Sequence, residues 1–283
     1  MTTPPFARPA CAALLTLFDE DGHLLVERTA ELAATLLEDG AEGFLVAGSA
    51  GEFWMLEDAE RIELVAAVRQ AIPGAVPVFA HVGGTDEGRL ASLTKASIDA
   101  GADAVLALAV GVKDVRAYYA ALVGAAAGAP TLAYHLPAFG SRIPIDQLAD
   151  LGVAGIKDSS GDAGRFCSEV LRLPLDTYTG SPALLNLGRQ LGAAGAITGV
   201  ANLRPSWCAA AWRGDDRAQR EILRLYLATG TPFPGGLKKA ATERWGTPPH
   251  SRSVATPRTC TDQALRWAER RHLGGHAEAP AGW

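Results

Sequence analysis

Lys157 closes a short apolar run in "GVAGIKDSSGD" (152–162), Tyr134 stands late in "TLAYHL" (131–136), and Ser49 follows a third apolar run in "GSAGE" (48–52). An amine, a phenol and an aliphatic hydroxyl are the groups that make and break an imine at a carbonyl. A neutral lysine attacks the carbonyl carbon, and a positioned hydroxyl moves protons onto and off the carbinolamine. Burial favours that chemistry, because desolvation disfavours the charged form of an amine. A tyrosine needs help to shuttle protons near neutral pH, and a nearby hydroxyl such as Ser49 completes a relay. Each residue also has a plainer reading. A strand-end lysine reaches for solvent or a salt bridge, and a lone tyrosine is a core aromatic with its hydroxyl satisfied at a rim. "GSAGE" alone is a turn into a helix, with Glu52 as an N-terminal capping charge. Their order on successive elements is what gives the set meaning.

The elements must therefore place all three at one end. Short apolar runs recur at 12–18, 43–48, 76–82, 102–110, 131–136, 153–157, 177–180 and 194–200. Most are apolar throughout, as in parallel strands covered on both faces. Between them lie helical patterns such as 57–72, 86–101 and 115–128. Asp86 is a candidate N-cap and Gly101 a candidate residue just past the helix end. Strand–helix units repeating about every 25 residues imply parallel pairing with crossover helices. Eight such runs predict a (β/α)8 TIM barrel over residues 8–203; a doubly wound sheet is the alternative, but no GxGxxG opens the first unit and no P-loop occurs. Residues 204–275 predict a C-terminal helical extension, with helical stretches at 204–230, 235–246 and 261–275, packed on the barrel or on a partner.

In such a barrel the site sits at the C-terminal strand ends. Those ends add Ser159 and Ser160 after the sixth strand, Gly180 after the seventh and Thr198 at the eighth. The candidate catalytic residues are Lys157, Tyr134 and Ser49. The candidate substrate-binding residues are Ser49, Ala50, Ser159, Thr198, Phe139 and Gly180. Lys238 and Lys239 read as surface charges without a role.

Composition narrows the function classes. The 283 residues are 48% hydrophobic and 20% charged, with a net charge of −5 and a pI near 5.7. No basic face is implied for nucleic acid, and no run approaches the ~20 apolar residues of a membrane span. "MTTPPFARPA" shows no secretory signature, and Cys11, Cys167, Cys208 and Cys260 are too scattered for a disulfide framework or zinc site. The expectation is a cytoplasmic enzyme with reduced thiols and no metal.

"GSAGE" (48–52), "YHLP" (134–137) and "GIKDSSGD" (155–162), in that order, resemble the motifs of the dihydrodipicolinate synthase / N-acetylneuraminate lyase family. "LLTLFDEDG" (14–22) and "GAAGAITGVANLRP" (192–205) resemble the family's first and last strands. The resemblance implies a lysine Schiff base to pyruvate or another 2-keto acid at Lys157, proton transfer by Tyr134 and Ser49, and no cofactor beyond the imine. It implies a carboxylate held by backbone N–H groups around Ser49 and Ala50, an aldehyde as second substrate, and a homotetramer or homodimer. Three departures shape the expectation. Ala50 replaces a hydroxyl, removing a hydrogen bond worth about 1.5–3 kcal/mol. "ALAVGV" (107–112) lacks the family's strand-four tyrosine pair, and Phe139 stands where the synthases place an arginine. These argue against dihydrodipicolinate synthase activity. Ser181 and Pro182, where sialic acid lyases place acidic residues, argue against sialic acid. "GEFW" (51–54) is closer to 2-keto-3-deoxy sugar-acid aldolases, with Trp54 either narrowing the pocket or packing under the helix after Glu57. The reading is an aldolase-type lyase. A dehydratase using the same imine and a non-catalytic keto-acid binder are the alternatives.

Overall fold

The computed structural model describes residues 9–253. Eight parallel strands close into a barrel in chain order: β1 (Ala10–Ala13), β2 (Phe44–Val46), β3 (Val78–His81), β4 (Ala104–Leu108), β5 (Thr131–His135), β6 (Gly155–Asp158), β7 (Asp176–Thr179) and β8 (Gly195–Thr198). Nearly every strand residue is buried, which accounts for the unbroken apolar runs. The chain is a (β/α)8 TIM barrel followed by further helices.

The crossovers are α1 (Val26–Glu38), α2 (Asp58–Ala71), α3 (Glu87–Asp99), α4 (Val115–Ala125), α5 (Ile145–Leu148), α6 (Ala163–Arg172) and α7 (Leu185–Leu191). Asp86, Asp114 and Asp162 each accept a first-turn N–H, satisfying a donor that the helix leaves open. After β8 come α8 (Pro205–Trp212), α9 (Asp216–Thr229) and α10 (Gly235–Trp245). The expected single helical stretch at 204–230 is two helices. Gly214, at φ 101°, turns the chain between them in a conformation that glycine adopts without strain. The helix expected at 261–275 lies outside the described residues.

The first strand also differs from its expected span of 12–18. β1 stops at Ala13, beyond which the Asn202 side chain accepts from the Leu15 N–H at 3.0 Å and donates to the Ala13 carbonyl at 2.7 Å. The apolar run continues as buried loop, which hydrophobicity cannot tell from strand. At β5–β6, Tyr134 lies directly opposite Lys157, so the two side chains share one face of the ladder.

Candidate active site

Lys157 and Tyr134 point into a cavity of about 200 Å³ at the C-terminal end of the barrel. The Lys157 Nζ lies 4.1 Å from the Tyr134 ring centroid. Ser49 Oγ and the Tyr134 hydroxyl are hydrogen-bonded at 3.0 Å, and all three residues are buried. An amine, a phenol and an aliphatic hydroxyl thus meet at the base of one pocket.

The loop after β2 supplies Ser49, and its backbone is held in a strained shape. Ala47 and Glu52, neither a glycine, have φ of 52° and 56°. The N–H groups of Gly51, Glu52 and Phe53 turn back onto the carbonyls of Gly48 and Ser49. Glu52 is not a helix-capping charge. It is fully buried, paired with Lys238 of α10 and hydrogen-bonded by Ser251 Oγ at 2.6 Å and the Ser253 N–H at 2.7 Å. Lys238 is therefore no surface charge, although its neighbour Lys239 is exposed. Burial pulls the Lys238 ammonium below its ordinary pKa, and the Glu52 carboxylate opposes that pull. Arg252 adds a bidentate pair to Glu60 at 2.6 and 2.7 Å, so the segment after α10 is strapped across the β2 loop.

Of the other expected substrate-binding residues, Ala50, Phe139, Ser159 and Gly180 line the cavity. Gly180 makes room for Ser159: a Cβ there would stand 1.8 Å from the Ser159 hydroxyl. Thr198 does not line it. On β8 the inward residue is Ile197, so its neighbour Thr198 points outward and meets Cys208 on α8. Trp54 lies behind the wall, stacked on Phe139 with centroids 5.1 Å apart and planes at 17°, and edge-on to Phe53. It braces the pocket without entering it. His135 also turns away, its Nδ1 accepting the Ile143 N–H at 3.4 Å. Burial holds its pKa down near 4.

Sequence reasoning missed the outer wall, where Tyr226, Gly230, Thr231, Phe233 and Leu237 close the mouth from the segment spanning α9 and α10. No chemical motif marks them; the Pro/Gly turn "TGTPFPGG" (229–236) is the one local signal of a chain reversal there. Behind the lysine, Asp158 faces α6, accepting the Ser160 N–H at 2.7 Å with Arg165 Nε 3.6 Å away. Arg165 Nε also lies 2.7 Å from Glu169. Burial and the nearby Asp158 raise Glu169 to about 8. Cys11, Cys167 and Cys208 are free thiols, and no described helix is long and apolar enough to cross a membrane. Cys260 lies outside the described residues.

A family model described as the dihydrodipicolinate synthetase family matches residues 7–222. An uncharacterized DapA-like lyase of Halobacterium salinarum is 31% identical over 238 residues, covering 80% of this chain and 78% of that protein. The 4-hydroxy-tetrahydrodipicolinate synthase of Pseudomonas aeruginosa is 29% identical over 228 residues, covering 74% and 77%. Among solved structures, KD(P)GA from T. tenax superposes with a TM-score of 0.78 at 21% identity, covering 93% of this chain and 99% of that one. YagE of E. coli K12, solved in complex with pyruvate, gives 0.77 at 21% identity, covering 94% and 99%. With its barrel, its motif order and these matches, the chain belongs to the dihydrodipicolinate synthetase family.

Proposed function

We propose that the protein is a class I lyase that makes or cleaves a C–C bond to pyruvate or a related 2-keto acid through an imine on Lys157. The carrying observation is the buried amine 4.1 Å from the ring of a tyrosine whose hydroxyl is bonded to Ser49. The pyruvate complex of YagE supports the keto-acid half of the reading.

In this mechanism neutral Lys157 attacks the keto carbon. A C–N bond forms, and the keto oxygen leaves as water after protons arrive through Tyr134 and Ser49. The N–H groups of Ser49 and Ala50 hold the carboxylate. The iminium draws the electron pair released when the C–C bond breaks, giving an enamine and an aldehyde. In the synthetic direction the enamine attacks the aldehyde, and water then frees the lysine. The imine is the electron sink, so the route draws on no metal or organic cofactor. The same reading includes a homodimer or homotetramer, measurable by sedimentation.

Borohydride trapping with pyruvate, followed by peptide mass spectrometry, tests it. A reduced pyruvyl adduct on the peptide carrying Lys157, absent in Lys157→Ala, is expected. No adduct across a panel of 2-keto acids, in folded protein, would sink the assignment. Product analysis then separates an aldolase, which yields two carbonyl fragments, from a dehydratase, which yields one dehydrated acid.

A further inference from the structure

Among the described residues lining the cavity there is no Asp, Glu, Arg or His, and the one lysine, Lys157, is engaged by the imine. Beyond the lysine, no described lining residue is a cation for a second carboxylate or a phosphate, and none is a carboxylate for the hydroxyls of a sugar. A charged group entering there would lose water and gain no oppositely charged partner among the described lining residues.

Much of the wall of this outer part is apolar. Leu136, Ala138 and Phe139 line it from the β5 end and the loop after it, and Val200, Phe233 and Leu237 line it from later elements. Phe139 is braced by its flat stack on buried Trp54, so it is a fixed surface. Two of the hydroxyls nearby are partly committed, while Ser159 Oγ sits against Gly180. Ser160 Oγ accepts the Asp162 N–H at 3.2 Å, and Ser181 Oγ accepts the Ala183 N–H at 3.4 Å. Thr231 is exposed and Tyr226 half-buried, which puts their hydroxyls at the mouth. The volume of about 200 Å³ also favours a small guest, since pockets for drug-sized ligands run to roughly 300–1,000 Å³.

We infer that the second substrate is a small, uncharged aldehyde with an apolar body, branched aliphatic or aromatic, and that Phe139 sets this preference. The inference rests on the Schiff-base reading above. C3 of the pyruvate enamine attacks the aldehyde carbon, and one C–C bond forms. The aldehyde oxygen takes a proton from Tyr134, and water hydrolyses the imine. A 4-hydroxy-2-keto acid leaves, and Lys157 is regenerated.

The test has two separate arms on the full chain. Borohydride trapping with pyruvate reports the imine by itself. At saturating pyruvate, kcat/KM is then compared for isobutyraldehyde, benzaldehyde, glyceraldehyde and succinate semialdehyde. One of the first two should exceed both of the last two by about tenfold or more, since a single methylene in an apolar pocket is worth about 10- to 200-fold. Phe139→Arg, which sets a cation on that wall, should move the order toward succinate semialdehyde. Equal or better use of glyceraldehyde or succinate semialdehyde by the native protein would overturn the inference. So would a protein that forms the adduct but turns over none of the four. Loss of the adduct itself would instead overturn the Schiff-base reading, which keeps the two failures distinct. Should Phe139→Arg not fold, the native ranking decides.

Discussion

Lys238 and Glu52, 186 residues apart in sequence, form an ion pair with both side chains fully buried. The pair ties α10 to the loop that carries Ser49, and Lys238 also donates to the His250 carbonyl at 2.8 Å. Removing one partner leaves a buried charge without its counter-ion. Lys238→Met should therefore destabilise the protein by about 3–5 kcal/mol in urea unfolding. Lys238→Met with Glu52→Gln should recover more than half of that loss. If the double variant is as unstable as the single one, the charge pair is not what holds the loop.

Tyr134 and Ser49 are expected to act early, on the carbinolamine. Tyr134→Phe should slow the appearance of the borohydride-trapped pyruvate adduct by about 10²-fold or more, within the range of general acid–base catalysis. Ser49→Ala should slow it less, because the phenol remains. Rapid-quench trapping over time measures both. Unchanged rates in Tyr134→Phe would remove the tyrosine from the proton path.

Ala50 offers only its backbone N–H to a carboxylate. Ala50→Ser should tighten pyruvate binding about tenfold, the value of one added hydrogen bond to a charged group. The pyruvate concentration giving half-maximal adduct formation reports it. An unchanged midpoint would mean that another group already fills that role.

Glu169 gives a pH signature. Folded, it keeps its proton up to about pH 8, against an ordinary value of 4.5. Between those values the folded state binds more protons than the unfolded one, so stability falls as pH rises. His135 works the other way, but only between about 4 and its ordinary 6.5. From pH 6.5 to 8 stability should therefore decline, and Glu169→Gln should flatten that decline. Urea midpoints at half-unit pH steps measure the slope; an equal slope in the variant would assign it elsewhere.

That Ser49, Tyr134 and Lys157 meet in one cavity was legible because they lie at or just past strand ends. In a parallel barrel, the spacing of the apolar runs alone brings Ser49, Tyr134 and Lys157 to one end. Asp86 and Gly101 were legible too, since capping is local. Thr198 was misplaced because "GAIT" has no polar alternation to reveal which of two adjacent residues faces inward. Lys238 looked like a surface residue because its burial depends on a carboxylate far away in the chain and on Ser251–Ser253 folding back. The outer wall escaped notice for the same reason. Phe233 and Leu237 have ordinary apolar side chains, and only the tertiary fold brings them to the same cavity as Phe139.

That wall also has a consequence in time. A ribosome delivers the strands first, and domains emerge N-terminal end first at roughly 5–20 residues per second. Lys157 and Tyr134 can find their register across β5 and β6 before α10 has been made. Until Leu237 and Lys238 arrive, the cavity lacks its α10 wall and Glu52 lacks its buried counter-ion. The cavity around Lys157 thus gains its α10 wall only after all eight barrel strands have been made.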